Sequence, residues 1–148
     1  MRRRGSPPNS LIEDTIMSAA IDLELFARTR AAVNEDPSFR KLGTADMMAG
    51  IRLGDTAFIV QFEAFECAGV EQVDVEQLRD ADFYLELPAP ALQHYLAGRK
   101  AGTAPSLSSL DLDTEGGIVR GTDPLRTLKF ERYLGTLQAF FDKSANLA

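Results

Sequence analysis

"TADMMAGIRLGDTAFIVQFEAF", residues 44–65, decides the fold class of this chain. Gly54-Asp55 is a two-residue turn suited to a tight hairpin, and apolar residues recur at alternate positions on both sides of it. Setting Leu53 opposite Thr56 fixes the register by counting outward. Ile51 then meets Phe58, Ala49 meets Val60 and Met47 meets Phe62, which makes one face wholly apolar. The other face pairs Arg52 with Ala57, Gly50 with Ile59, Met48 with Gln61 and Asp46 with Glu63. A slip by one residue would carry the apolar set to the wrong side. The stretch therefore predicts an antiparallel strand pair with one buried face and one solvated or partly covered face.

Upstream, periodicity predicts a long helix from about Ser10 to Asn34, capped by Asn9 or Ser10 with Glu13 near its first turn. Ile12, Ile16, Ala19, Ala20, Leu23, Phe26 and Ala27 form one apolar stripe, and Met17, Ile21 and Leu25 form a second. Two stripes need two neighbours. Either both meet the core, or Met17, Ile21 and Leu25 pair with a second copy in a homodimer. "NEDPSFRKLG" (34–43) ends the helix through Pro37 and Gly43.

Downstream, "CAGVEQVDVEQL" (67–78) predicts a turn at Ala68-Gly69 and a third strand, Val70 to Val73. "ADFYLEL" (81–87) is a fourth strand, and "PAPALQHYLAGRK" (88–100) a short helix with Leu92, Tyr95 and Leu96 on its buried side. The segment 101–117 reads as a loop with one helical turn near Leu107 to Leu110, followed by a fifth strand in "GGIVRG" (116–121). "TDPLRTLKFERYLGTLQAFFDK" (122–143) is the closing helix, with Thr122 or Asp123 as cap and Pro124 in the first turn. On a continuous helix Phe130, Tyr133, Leu134, Leu137, Phe140 and Phe141 fall within an arc of roughly 120°, the width of a core-facing stripe. Leu125 and Leu128 lie about 60° or more outside it, so they call for a second apolar neighbour. The fold class is α+β.

Composition narrows the function classes. With 148 residues, 45% hydrophobic and 26% charged, the chain has one domain's worth of core. No apolar run approaches the ~20 residues of a membrane helix. "MRRRGSPPNS" has a basic start but no apolar stretch after it, so residues 1–9 are expected to be a flexible basic tail and 10–148 a single domain. A lone cysteine, Cys67, suits a reducing cytoplasm. The net charge is −6 and the only basic cluster is Arg2, Arg3 and Arg4, which argues against nucleic acid as a partner.

Catalytic signals are sparse. His94 is the only histidine, and without companion Cys or His it predicts no metal site. "DLDTEGG" (111–117) lacks the twelve-residue plan of a calcium loop, and Gly116-Gly117 precedes a strand instead of opening a phosphate-binding helix. No cofactor motif is present. Asp46 opposite Glu63 could hold one raised carboxyl pKa, although Arg52 shares that face. Asp46, Glu63, Tyr84 and His94 are the acid–base candidates of an enzyme reading: a small cofactor-independent isomerase or cyclase acting on an oily substrate, provided at least two of them converge in one cavity.

"ADFYLELPAPALQHYLAGR" (81–99) and "GGIVRGTDPLRTLKFERYLGTLQAFF" (116–141) resemble the sterol-carrier-protein family. The matching positions are Ala81, Asp82, Phe83 and Leu85, then Gly98, then Gly117, Val119 and Gly121, then Leu125, Leu128 and Phe130. The resemblance implies a five-stranded, mainly antiparallel sheet with helices packed on one face and an apolar tunnel between the layers. It also implies non-covalent binding or carriage of a fatty acyl lipid, sterol or similar hydrophobic small molecule. The lining positions it suggests are Met47, Val60, Phe62, Phe83, Leu92, Leu125, Leu128 and Tyr133. Leu125 and Leu128 would face the tunnel while Phe130, Tyr133 and Leu137 close the core beside it. The long N-terminal helix and the basic tail fall outside the shared pattern.

Overall fold

The hairpin forms in the register that its apolar alternation demands. In a computed structural model, which describes residues 21–148, β1 (Met47–Leu53) and β2 (Thr56–Glu63) pair antiparallel from Leu53↔Thr56 to Met47↔Phe62. Gly54 takes φ 69°, the left-handed conformation that the turn requires. β3 (Glu66–Val73), β4 (Phe83–Glu86) and β5 (Val119–Arg120) complete a five-stranded sheet in the order β3-β2-β1-β4-β5. Only β1 and β4 run parallel, so the sheet is mainly antiparallel.

β3 starts earlier than its sequence suggests. The chain reverses at Ala64-Phe65, where Ala64 adopts φ 55°, and not at Ala68-Gly69. Ala68 is instead the extra residue of a β-bulge, because Gln61 pairs with Gly69 while Phe62 pairs with Cys67. α1 (Leu23–Asn34) covers this region. The Asn34 amide donates to Cys67 O at 3.0 Å and accepts from Cys67 N at 2.8 Å, and Arg30 Nε donates to the same carbonyl at 3.0 Å. Burial pushes the Cys67 thiol up to about 12, which fits a packed small hydrophobe.

The first helix begins, within the described residues, at Leu23, because the Asp22 side chain accepts from Leu25 N at 2.9 Å and caps it. The expected helix does not continue through Asp22, which is extended (φ −142°, ψ 179°); residues 10–20 with Met17, the caps Asn9 and Ser10, and the 1–9 tail lie outside the described residues. Leu25, assigned above to the partner stripe, is 2% exposed and buried within the chain, and Ile21 packs against the core.

α2 (Pro37–Arg40) is a single turn. α3 (Ala89–Ala101) follows β4, and α4 (Leu107–Asp113) runs longer than the one expected turn. The closing segment is three helices instead of one: α5 (Pro124–Thr127), α6 (Lys129–Arg132) and α7 (Leu134–Leu147). The breaks have a physical cause. Asp82, at the start of β4, accepts from Met48 N at 2.8 Å, from Arg126 Nε at 3.0 Å and from Lys129 Nζ at 3.4 Å, while Arg126 Nη2 donates to Asp80 O at 2.8 Å. These bonds tie α5 and α6 to the start of β4, and the backbone turns at Tyr133 (φ −113°, ψ 30°) before α7 begins. Burial works to raise the Asp82 carboxyl, but the Met48 N–H, Arg126 and Lys129 outweigh it and hold it below the usual range. Leu125 and Leu128 stand at the surface, 78% and 53% exposed.

The helices α1, α3 and α7 lie over the apolar face of the sheet. Phe26, Phe58, Phe62, Phe140 and Phe141 fill the layer between, with ring centroids 5.1 Å apart for Phe26–Phe58, 5.7 Å for Phe62–Phe140 and 5.9 Å for Phe140–Phe141. Thr29 and Ser144, the buried hydroxyls between α1 and α7, satisfy each other at 2.9 Å. On the opposite face a 3₁₀ segment, Val75–Asp80, covers Ala57 and Ile59 with Leu78 and Ala81. Gly50 makes that cover fit: a Cβ there would lie 2.7 Å from Tyr84 Cβ and 2.8 Å from Leu78 Cδ2.

Candidate functional site

α3 carries Leu92, Tyr95 and Leu96 inward at helical spacing, which turns the Ala91–His94–Gly98 side outward toward the chain that follows. That chain folds straight back. Gly102 ends α3 with φ 81°, and the Gly98 carbonyl accepts from Thr103 N at 2.8 Å and from Ala104 N at 3.2 Å. The approach depends on Gly98, because a Cβ there would lie 2.8 Å from Ala104 Cβ. Between α3 and the 103–110 segment this leaves a cleft of about 310 Å³, lined by Ala91, His94, Tyr95, Gly98, Thr103, Ala104, Pro105 and Leu110. Tyr95 and Leu110 belong to or pack against the main core, so the cleft floor is the core itself.

One polar network adjoins it through Tyr95, Ala104 and Pro105. Arg99 forms a two-point bridge to Asp142 on α7, Nε to Oδ1 and Nη2 to Oδ2, both at 2.8 Å. Its Nη1 donates to the carbonyls of Ala104 and Pro105 at 3.3 Å. Gln138 donates to Asp142 Oδ1 at 3.0 Å and to the Tyr95 hydroxyl at 3.3 Å, and accepts from Leu107 N at 2.7 Å. Burial acts to raise the Asp142 carboxyl, yet the bonds from Arg99 and Gln138 hold it below the usual carboxylate range. Burial raises the Tyr95 phenol above its ordinary value, more than Gln138 lowers it. The cleft walls are thus mainly apolar, with His94, Tyr95 and Thr103 as the polar side chains among them, and the nearby Arg99 and Asp142 are paired with each other.

Two other cavities lie on the outer sheet face. One of about 450 Å³ is lined by Val75, Glu76, Leu78, Arg79, Asp80, Tyr84 and Thr122, and one of about 200 Å³ by Ile59, Gln61, Gly69, Val70 and Glu71. Both mix charged and apolar groups.

The acid–base candidates do not gather. Tyr84 lines the outer-face cavity and His94 the α3 cleft, while Asp46 and Glu63 are exposed at the open end of the hairpin, where Glu63 accepts from Gln61 at 2.7 Å. Of the lining positions, Met47, Val60, Phe62, Phe83 and Leu92 are buried in the core, Tyr133 is half-buried at its edge, and Leu125 and Leu128 are on the surface. The residues that shape the cleft, Tyr95, Gly98, Arg99, Gln138 and Asp142, received no site role from the sequence. The available signal was Gln138 and Asp142, four residues apart beside the apolar stripe of the last helix.

No protein-family model matches the sequence, and no curated protein does. Among solved structures the chain is similar to a crystal structure of sterol carrier protein 2, with a TM-score of 0.63 at 17% identity over 89% of this chain and 99% of that one. A UbiJ-SCP2 ubiquinone synthesis protein aligns with a TM-score of 0.47 at 16% identity over 88% of this chain and 98% of that one. The chain has a sterol-carrier-protein-2-like fold. No described helix is long and apolar enough to cross a membrane.

Proposed function

We propose that this protein binds and carries a hydrophobic small molecule, a fatty acyl lipid, sterol or similar compound, without covalent chemistry. The observation that carries the reading is the α3 cleft: an outward-opening apolar recess of about 310 Å³, within the size range of small-ligand sites, whose floor is continuous with the core. The sterol-carrier-protein-2-like fold supports the same class of ligand by analogy of architecture alone. The ligand lodges first against Ala91, Tyr95 and Leu110. A longer chain extends past Leu92 into the apolar layer between sheet and helices, toward Phe83, Met47, Val60 and Phe62, by displacing side chains that now touch each other, with Tyr133 at the margin.

Native mass spectrometry of the protein as purified, followed by denaturing extraction, tests this. A discrete added mass in the range of fatty acids or steroids is expected, as is loss of that mass in Ala91→Trp, which fills the cleft from an exposed helix position. An apo mass that no acyl lipid or sterol shifts would refute the reading.

A further inference from the structure

We infer that the Tyr95 hydroxyl is the polar anchor of the α3 cleft, and that the ligand meets it with a neutral oxygen acceptor, a hydroxyl or carbonyl, in preference to a carboxylate. This rests on the carriage reading and specifies its ligand. Tyr95 lines the cleft yet is only 3% exposed. Its oxygen accepts from Gln138 Nε2 at 3.3 Å, but among the described residues its own O–H finds no acceptor. A phenol buried to this degree ordinarily uses its proton, and leaving a donor unpaired in the interior is costly. The obvious acceptors nearby are occupied. Gln138 Oε1 takes the Leu107 N–H, Asp142 takes Arg99 and Gln138, and the carbonyls of Ala104 and Pro105 take Arg99. The raised phenol pKa keeps that proton in place at neutral pH.

The same saturation sets the charge of the ligand. Arg99 spends four of its N–H groups on Asp142, Ala104 and Pro105, so it offers little to an incoming anion. The Arg99–Asp142 pair is closed on itself, so it offers an incoming carboxylate little to offset the cost of leaving water. A neutral alcohol, ketone or ester oxygen satisfies the phenol without bringing a charge into the cleft.

The test compares decanol, methyl decanoate and decanoate by calorimetric or fluorescence titration at pH 8 against the wild type and Tyr95→Phe. Decanol and methyl decanoate should each bind more tightly than decanoate, and each should weaken about fivefold in Tyr95→Phe while decanoate changes little. A general preference of an oily wall for neutral molecules would survive the substitution, so the Tyr95 dependence isolates the anchor. In the wild type, the Tyr95 Cζ carbon resonance should shift on adding methyl decanoate, which checks the contact without any variant. Equal affinity of all three probes, or an unshifted Tyr95 resonance with binding intact, would overturn this inference and leave carriage standing. Binding by none of the three would overturn both.

Discussion

Gly50→Ala should destabilise the protein without touching the cleft. Gly50 sits in the middle of β1, paired with Ile59 on one side and Tyr84 on the other. The added methyl would lie 2.7 Å from Tyr84 Cβ, 2.8 Å from Leu78 Cδ2 and 3.4 Å from the Phe83 carbonyl. Leu78 can rotate away. Tyr84 Cβ is fixed to the backbone of β4, so relief there requires the parallel β1–β4 pair to part. Overpacking of this kind costs about 1–3 kcal/mol. Replacing a strand glycine offsets roughly 0.5–1 kcal/mol of that by lowering the entropy of the unfolded chain. The net is a loss of about 1 kcal/mol at mid-range and up to about 2.5 kcal/mol, or a fall of roughly 2–10 °C in Tm. Urea unfolding followed by far-UV circular dichroism measures it. Leu78→Ala, which by itself costs about 2–5 kcal/mol as a core truncation, should cost less on the Gly50→Ala background because it also relieves one of the clashes. A Gly50→Ala protein as stable as the wild type would refute the close packing of the 3₁₀ segment and β4 on β1.

Three further expectations follow from side-chain placement. Leu125→Ala and Leu128→Ala should each change stability by no more than about 0.5 kcal/mol, since both residues are largely exposed; a larger loss in denaturant titration would mean that they are covered in solution. Asn34→Ala leaves Cys67 N without its partner and Cys67 O with Arg30 alone, and should cost about 1–3 kcal/mol, read from the same titration, whereas the isosteric Asn34→Asp should recover the contact to Cys67 N alone. Asp82 and Asp142 both have folded pKa values below the ordinary one, so the unfolded chain takes up their protons first as pH falls through about 4. Their contribution is complete above that point and is lost on further acidification. Unfolding midpoints should therefore hold between pH 7 and 5 as far as these groups act and fall below 4, with a shallower fall in Asp82→Asn.

What the sequence disclosed was local and periodic. The β1–β2 register follows from alternation and a two-residue turn, both of which act between neighbours in the chain. The start of β3 did not, because Ala64 takes a left-handed φ that sequence assigns to glycine, and the Ala68-Gly69 pair that looks like a turn is a bulge. The closing helix looked continuous because nothing between Leu125 and Tyr133 is a helix breaker; the interruption comes from Asp82, about forty residues away in the chain. On an unbroken wheel Leu125 and Leu128 are surplus, and that geometry vanishes once the helix is divided. The cleft was illegible for a related reason. It is built by a loop folding back on Gly98 and by hydrogen bonds from α7 to α3 and α4, none of which leaves a periodic trace.

The Asn34–Cys67 contact has a bearing on how the protein behaves among copies of itself. β3 forms one margin of the sheet, and a bare margin offers a row of backbone donors and acceptors on which another chain can polymerise. The Asn34 amide occupies both backbone groups of Cys67, beside a bulge that bends the strand, while the far margin, β5, is only 2 residues long. Neither side presents a long, flat ladder. Should the helix layer open, these two margins would leave the sheet a poor template for amyloid growth.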